Sequence, residues 1–306
     1  MTLPADEPEA FGPQTVVISL YDQRPLEPLQ ALFNSMKAHD AGLPYELLLV
    51  INRDDDQPLD LPEVEGLRVV ERANKGMNIG AWDHGWRQCP QADGFLFLQD
   101  ECLITRPGWL LEFARWGQAG AALTGESLNP AWDRPWADLR QTHGQTDMPG
   151  HQLNGQQANR IDIYLAFMRR HGIHPGRTAR HLRSLVWYAQ RPWLERIDGF
   201  AIGEDFGECI GAEIGTSRAV EAAGGRLEQV SAEPFSFIRH LEWHRAYPGG
   251  PFVHGLRSPR RAGLLDALRM LRRPRQFAGL VNKRLQEARR GVMRRLAGHD
   301  SGDTQP

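Results

Sequence analysis

The chain has 306 residues, 41% of them hydrophobic and 24% charged, which excludes wholesale disorder and fits one large or two small domains. Its formal net charge of −2 excludes a general nucleic-acid binder, but the total hides a split. Residues 256–297 hold 13 Lys and Arg against 2 acidic residues, whereas residues 1–255 hold 23 against 34. Three cysteines, Cys89, Cys102 and Cys209, are odd in number and in no paired spacing. That pattern excludes a disulfide framework and offers no zinc site, so reduced thiols in a cytoplasmic protein are expected. The first residues are acidic and carry no apolar run of the secretory kind, and the longest apolar runs are too short to span a bilayer.

In chain order, residues 1–13 read as a flexible tail with three prolines. Thr15–Leu20 is a continuously apolar strand, and Leu26, Leu29, Leu32, Phe33 and Met36 give helical spacing over Leu26–Ala38. Glu46–Ile51 and Leu67–Val70 read as strands, Asn78–Gln88 as a helix, Gly94–Leu98 as a strand and Trp109–Trp116 as a helix. Ala121–Thr124 is a fifth strand. Residues 127–180 are polar and rich in Gly, Pro, Trp and His, with one helix at Arg160–Arg170; long irregular stretches of this sort are usually functional loops. Leu182–Ala189 resumes a strand pattern, Glu208–Ala223 is a helix ending at Gly224-Gly225, and Glu233–His240 is a last strand. Alternating strands and helices predict an α/β fold, a mostly parallel sheet with helices on both faces. Ligands of such sheets bind beyond the carboxyl ends of the strands.

Four features stand at those ends: Asn52-Arg53-Asp54-Asp55-Asp56, Asn74-Lys75-Gly76-Met77-Asn78-Ile79-Gly80-Ala81-Trp82, Gln99-Asp100-Glu101, and Gly203-Glu204-Asp205-Phe206-Gly207. Singly, each has an ordinary structural explanation as turn or cap chemistry. In this order, with a late His240, they resemble the family 2 glycosyltransferases with the GT-A fold, a Rossmann-like architecture, over about residues 15–243. The Asn-Lys-Gly-Met-Asn-Ile-Gly-Ala-Trp stretch is similar to a form found in bacterial polysaccharide synthesis.

The resemblance implies transfer of a sugar from a nucleotide-diphosphate donor to a glycan or lipid-linked acceptor, with inversion. It implies a donor site at Asp54, Asp55, Asn74, Lys75, Gly76, Asn78 and Gln99, with a side chain on Gly76 obstructing the ligand. It implies a Mg²⁺ or Mn²⁺ ion on Asp100, Glu101 and His240 to offset the diphosphate charge. Asp205 is the implied base for the acceptor hydroxyl, with Glu204 its rival. The family usually has an acidic residue where this chain has Gln99, which leaves open a metal-independent or inactive variant that only binds nucleotide or glycan. A nucleotidyltransferase ranks last, because Tyr21-Asp22-Gln23-Arg24-Pro25 after the first strand has no Gly-rich phosphate loop.

The expected organisation is a tail at 1–13, a nucleotide-sugar-binding half at 14–126, an acceptor-binding half at 127–255 and a basic amphipathic helical appendage at 256–306. In the appendage, Leu264, Leu265, Leu268 and Leu271, then Phe277, Leu280, Val281, Leu285, Val292 and Leu296, form apolar stripes flanked by arginines. Such helices suit an anionic membrane surface, each Arg contributing about 1 kcal/mol, with packing of the apolar stripe on the catalytic domain or a second subunit as the alternative. The expected location is therefore cytoplasmic and peripheral on the inner face of the cell membrane, with no nucleic-acid partner.

Overall fold

The computed structural model describes residues 11–145 and 150–241. The basic appendage expected at 256–306 lies outside the described residues, as does most of the tail expected at 1–13. The described elements are β1 (Gln14–Tyr21), α1 (Glu27–Ala38), β2 (Glu46–Arg53), β3 (Leu67–Ala73), α2 (Met77–Arg87), β4 (Gly94–Gln99), β5 (Cys102–Ile104), α3 (Trp109–Gln118), β6 (Leu123–Gly125), α4 (Trp136–Thr142), β7 (Gln152–Leu153), β8 (Gln156–Gln157), α5 (Arg160–Arg170), β9 (Val186–Gln190), α6 (Arg191–Arg196), α7 (Phe206–Ala222), β10 (Leu227–Gln229) and β11 (Ile238–His240).

Seven strands form the central sheet in the order β10-β6-β9-β4-β1-β2-β3. β1 through β4 pair in parallel, and β10 pairs in parallel with β6. Only β9 runs against its neighbours, with Val186 opposite Leu98 and Gln190 opposite Gly94. The fold is thus mixed α/β and Rossmann-like, as the alternation of elements predicts. The reversed strand was not expected.

β1, β2 and β4 are mostly apolar on both faces because both faces are covered, whereas the edge strand β3 is largely exposed. Val16, Ile18 and Leu20 of β1 enter one core with Leu47, Leu49, Leu96 and Leu98, against α1 and α3. Val17 enters the other with Leu48, Val50, Phe95 and Phe97, against α2, α5 and α7. Alternate residues thereby serve opposite cores, the period of an extended chain. α1 turns Leu29, Leu32, Phe33 and Met36 inward; burying such a side chain contributes roughly 1.5–3 kcal/mol. Trp187 is fully buried between the rings of Trp82 and Phe200, so it is a core residue. No helix among the described residues is long and apolar enough to cross a membrane.

Candidate active site at the carboxyl ends of the strands

The loop after β2 is built around Asp22, at the end of β1. Its nearly buried carboxylate accepts the backbone N–H of Asp54 (2.9 Å) and of Asp55 (3.2 Å), with Arg53 Nε at 3.6 Å. The Tyr21 hydroxyl donates to Asp54 Oδ2 at 2.5 Å, and Gln23 Nε2 to Asp55 Oδ2 at 2.7 Å. Burial first, then the bond to Asp54 and its charge, push the Tyr21 hydroxyl up to about 12. Asp55 also closes a tight turn, accepting the Gln57 N–H at 2.9 Å. The exposed Asp54 and Asp55 are therefore held in place before any ligand arrives. Sequence reasoning passed over Asp22 as a site residue, because a carboxylate that acts through backbone amides leaves no pattern in the chain.

The second segment follows β3. Arg72 Nη1 donates to Asn52 Oδ1 (2.6 Å), and Asn52 Nδ2 donates to the Met77 carbonyl (2.9 Å), fixing the entry to α2. Gly76 and Met77 both have left-handed backbone, φ 73° and 51°. The space that a side chain on Gly76 would need is taken by Ile202, whose Cγ2 lies 2.3 Å from the Cβ position. The neighbour that crowds this position is thus Ile202, just ahead of Glu204 and Asp205. At Gly80 a Cβ would lie 2.0 Å from the Lys75 carbonyl oxygen. Gly76→Ala is expected to lower stability by about 1–3 kcal/mol from the left-handed backbone and the steric clash. Adding Ile202→Ala should recover the steric part in thermal melts. An additive double mutant would show that the contact is not limiting.

The third segment follows β4. Gln99 donates through Nε2 to the Ser184 carbonyl at 2.6 Å, and Asn78 Nδ2 donates to the same oxygen at 2.7 Å. This leaves Gln99 Oε1 to face His240 Nε2 at 3.2 Å, so that ring nitrogen is the donor. An acidic residue at position 99 would set a negative oxygen against the Ser184 carbonyl. The departure from the family pattern thus has a structural partner. Ser184 is itself held by Glu213, which accepts its N–H (2.9 Å) and its hydroxyl (2.5 Å). Burial pushes the Glu213 carboxyl up, but His181 and the two Ser184 donors outweigh it and leave the carboxyl below its ordinary range.

Asp100, Glu101 and His240 converge, all nearly buried. β5 and β11 pair antiparallel with Cys102 opposite His240, and His240 Nε2 lies 3.7 Å from Glu101 Oε2. Arg24, in the turn after β1, sets Nη1 2.6 Å from Glu101 Oε2 and 3.6 Å from Asp100 Oδ1. Among the described residues no group of three His, Cys, Asp or Glu is arranged to hold a metal ion. The donor set still suits a hard cation in one respect: two adjacent carboxylates of low exposure already bind a cationic group. A divalent ion there would use Asp100 and Glu101 and draw its other ligands from phosphate and water. His240, whose Nε2 donates to Gln99, does not join them through that atom as placed.

Glu126, after β6, was not singled out from sequence. It is 1% exposed, and its carboxylate accepts three backbone N–H groups of the segment leading into β11: Ser236 (2.9 Å), Phe237 (3.0 Å) and Ile238 (2.6 Å). It fixes the strand that carries His240.

Asp205 is the N-cap of α7: its Oδ1 accepts the Glu208 N–H at 2.9 Å. Glu208 in turn binds Arg170 through both oxygens, at 2.7 and 2.6 Å, and accepts the Glu204 N–H at 2.9 Å. Glu204 and Asp205 are exposed, and the Gly76–Ile202 contact brings their loop to the end of the sheet occupied by the other three segments.

No family model matches the chain, and no curated protein does. Among solved structures, the mannosyltransferase PcManGT from Pyrobaculum calidifontis, in complex with GDP-Man and Mn²⁺, is similar over 74% of this chain at 13% identity, with a TM-score of 0.42. The matched part spans 56% of that protein's length. A likeness of this size concerns chain path only, and the chemistry rests on the side chains described above.

Proposed function

We propose that the chain is a GT-A-type glycosyltransferase that takes a sugar from a nucleotide-diphosphate donor. The observation that carries this reading is the cation-holding Asp100–Glu101 pair after β4, set at the same sheet end as the preorganised Asp54–Asp55 loop. A carboxylate such as Asp54 or Asp55 can accept a base N–H, and the 74–78 segment completes the donor side. In the transfer, an acceptor hydroxyl oxygen bonds to the anomeric carbon as the bond from that carbon to the phosphate oxygen breaks. The electron pair leaves with the diphosphate, and the hydroxyl proton passes to Asp205, with inversion at carbon. A divalent ion, where bound on Asp100 and Glu101, supplies positive charge to the leaving diphosphate.

The proposed acceptor is a growing surface glycan or a lipid-linked one. The basic segment 256–297 would bring the chain to an anionic membrane. Full-length protein should then sediment with vesicles containing anionic lipid and not with neutral ones, and equal sedimentation would remove the membrane role.

The test of the function is a panel of nucleotide sugars scored for binding and hydrolysis with Mg²⁺ or Mn²⁺, using wild type and Asp100→Ala. Turnover of one donor, lost in the variant, is expected. Binding without turnover would support the second reading, a non-catalytic nucleotide or glycan binder, which the substitution at Gln99 favours.

A further inference from the structure

We propose that Arg24 is a displaceable counter-ion, holding the Asp100–Glu101 pair until a divalent cation and a nucleoside diphosphate arrive together. This rests on the glycosyltransferase reading for the identity of the second ligand. The side chains of Asp100 and Glu101 are only 5% and 7% exposed, whereas that of Arg24 is 32% exposed. Two carboxylates so far removed from water need a positive neighbour. Arg24 is such a neighbour, reaching both carboxylates from a turn closed by its own N–H on the Tyr21 carbonyl at 3.0 Å. A half-open cation on a nearly closed anionic pair is the arrangement from which the cation can leave.

Three consequences follow from charge and coordination. A divalent ion arriving alone must compete with a guanidinium already at 2.6 Å from Glu101. It also finds two carboxylates but, among the described residues, no third acidic, His or Cys ligand in place. Diphosphate oxygens remove both obstacles: they complete the shell of a hard ion, and they offer the released guanidinium a bidentate partner. Metal and diphosphate should therefore strengthen each other's binding, and Arg24 should carry part of that coupling. Arg24 acts here as a positioning residue, and the handover requires no covalent step.

The experiment is a Mn²⁺ titration followed by electron paramagnetic resonance on the full chain, alone and with UDP or GDP. Wild type, Arg24→Met, Arg24→Gln and Arg24→Lys are compared. Wild type and Arg24→Lys are expected to bind Mn²⁺ alone weakly. The two neutral variants should bind it about tenfold more tightly, and their gain on adding nucleoside diphosphate should shrink by about the same factor. Equal affinity of wild type and the neutral variants for Mn²⁺ alone overturns the proposal, whether or not nucleotide binds. Failure of every form to bind either nucleotide would instead overturn the functional reading, while the Mn²⁺-alone comparison still decides the role of Arg24.

Discussion

Asp205→Asn is expected to lower sugar transfer by about 10²–10⁴-fold while leaving donor affinity and stability close to wild type. The separation is possible because the observed cap uses one oxygen and the proposed proton transfer the other. Oδ1 accepts the Glu208 N–H and caps α7. An asparagine keeps an oxygen for that bond and remains a good N-cap, but it cannot take a proton from an acceptor hydroxyl. Asp205→Ala loses both, and should cost about 1 kcal/mol of stability in addition to the rate. Transfer rates measured with saturating donor, beside thermal melts of both variants, separate the two roles. If Asp205→Asn turns over at the wild-type rate, Asp205 is a cap and nothing more, and Glu204 becomes the carboxylate to test.

The second large effect concerns Glu126 and is a matter of pH. Burial pushes this carboxyl up from an ordinary 4.5 to about 7, against the opposing pull of three backbone N–H groups and of Arg106. A carboxyl whose folded value is raised favours the fold most when protonated. Its contribution is fully present below about pH 4.5 and is lost as pH rises through about 7, on the order of 3 kcal/mol in all. Wild type minus Glu126→Gln isolates this contribution from the other carboxylates. The difference in unfolding free energy should move against wild type between pH 5 and 8. Parallel profiles for the two proteins over that range would refute it. Glu126→Ala is a harsher change, since three N–H groups lose their acceptor, the buried one of Ile238 at about 1–3 kcal/mol and the part-buried ones of Ser236 and Phe237 at less. It should release β11 and, with it, His240.

Much of this architecture could be read from the chain because the strands of a doubly covered parallel sheet are short apolar blocks. Thr15–Leu20, Glu46–Ile51 and Gly94–Leu98 are such blocks, and all became strands β1, β2 and β4. The Arg160–Arg170 helix agrees at both ends, and Asn159 fixes its start, the side chain accepting the Ile161 N–H at 3.0 Å. Strand direction was not legible, since Val186–Gln190 reads equally well either way along the chain. That one ambiguity hid Ser184, whose carbonyl joins Asn78 to Gln99 only because β9 starts where β4 ends. Residues acting through backbone groups, Asp22 on the Asp54 and Asp55 amides and Glu126 on the β11 amides, have no sequence pattern of their own. Arg24 lay in a stretch notable at first only for lacking glycine. The acidic motifs mark segments that the fold gathers at one sheet end, but the groups that hold them came from parts of the chain far away in sequence.

The reversed strand has a consequence for how such a protein can change. β6 ends and β9 begins at the same edge of the sheet, with Gly125 opposite Trp187. The whole stretch between them, Glu126 through Leu185, is therefore an excursion that leaves and returns at one rim. Lengthening it shifts no strand register, and loop-closure entropy grows only slowly with length. The strands are locked by seven-strand pairing, and within the excursion Glu126, Ser184 and the buried Ile161, Tyr164 and Phe167 of α5 are fixed too, so it is the turns between these anchors that can lengthen. Insertions in those turns would leave the sheet, and the acids at its end, as they are.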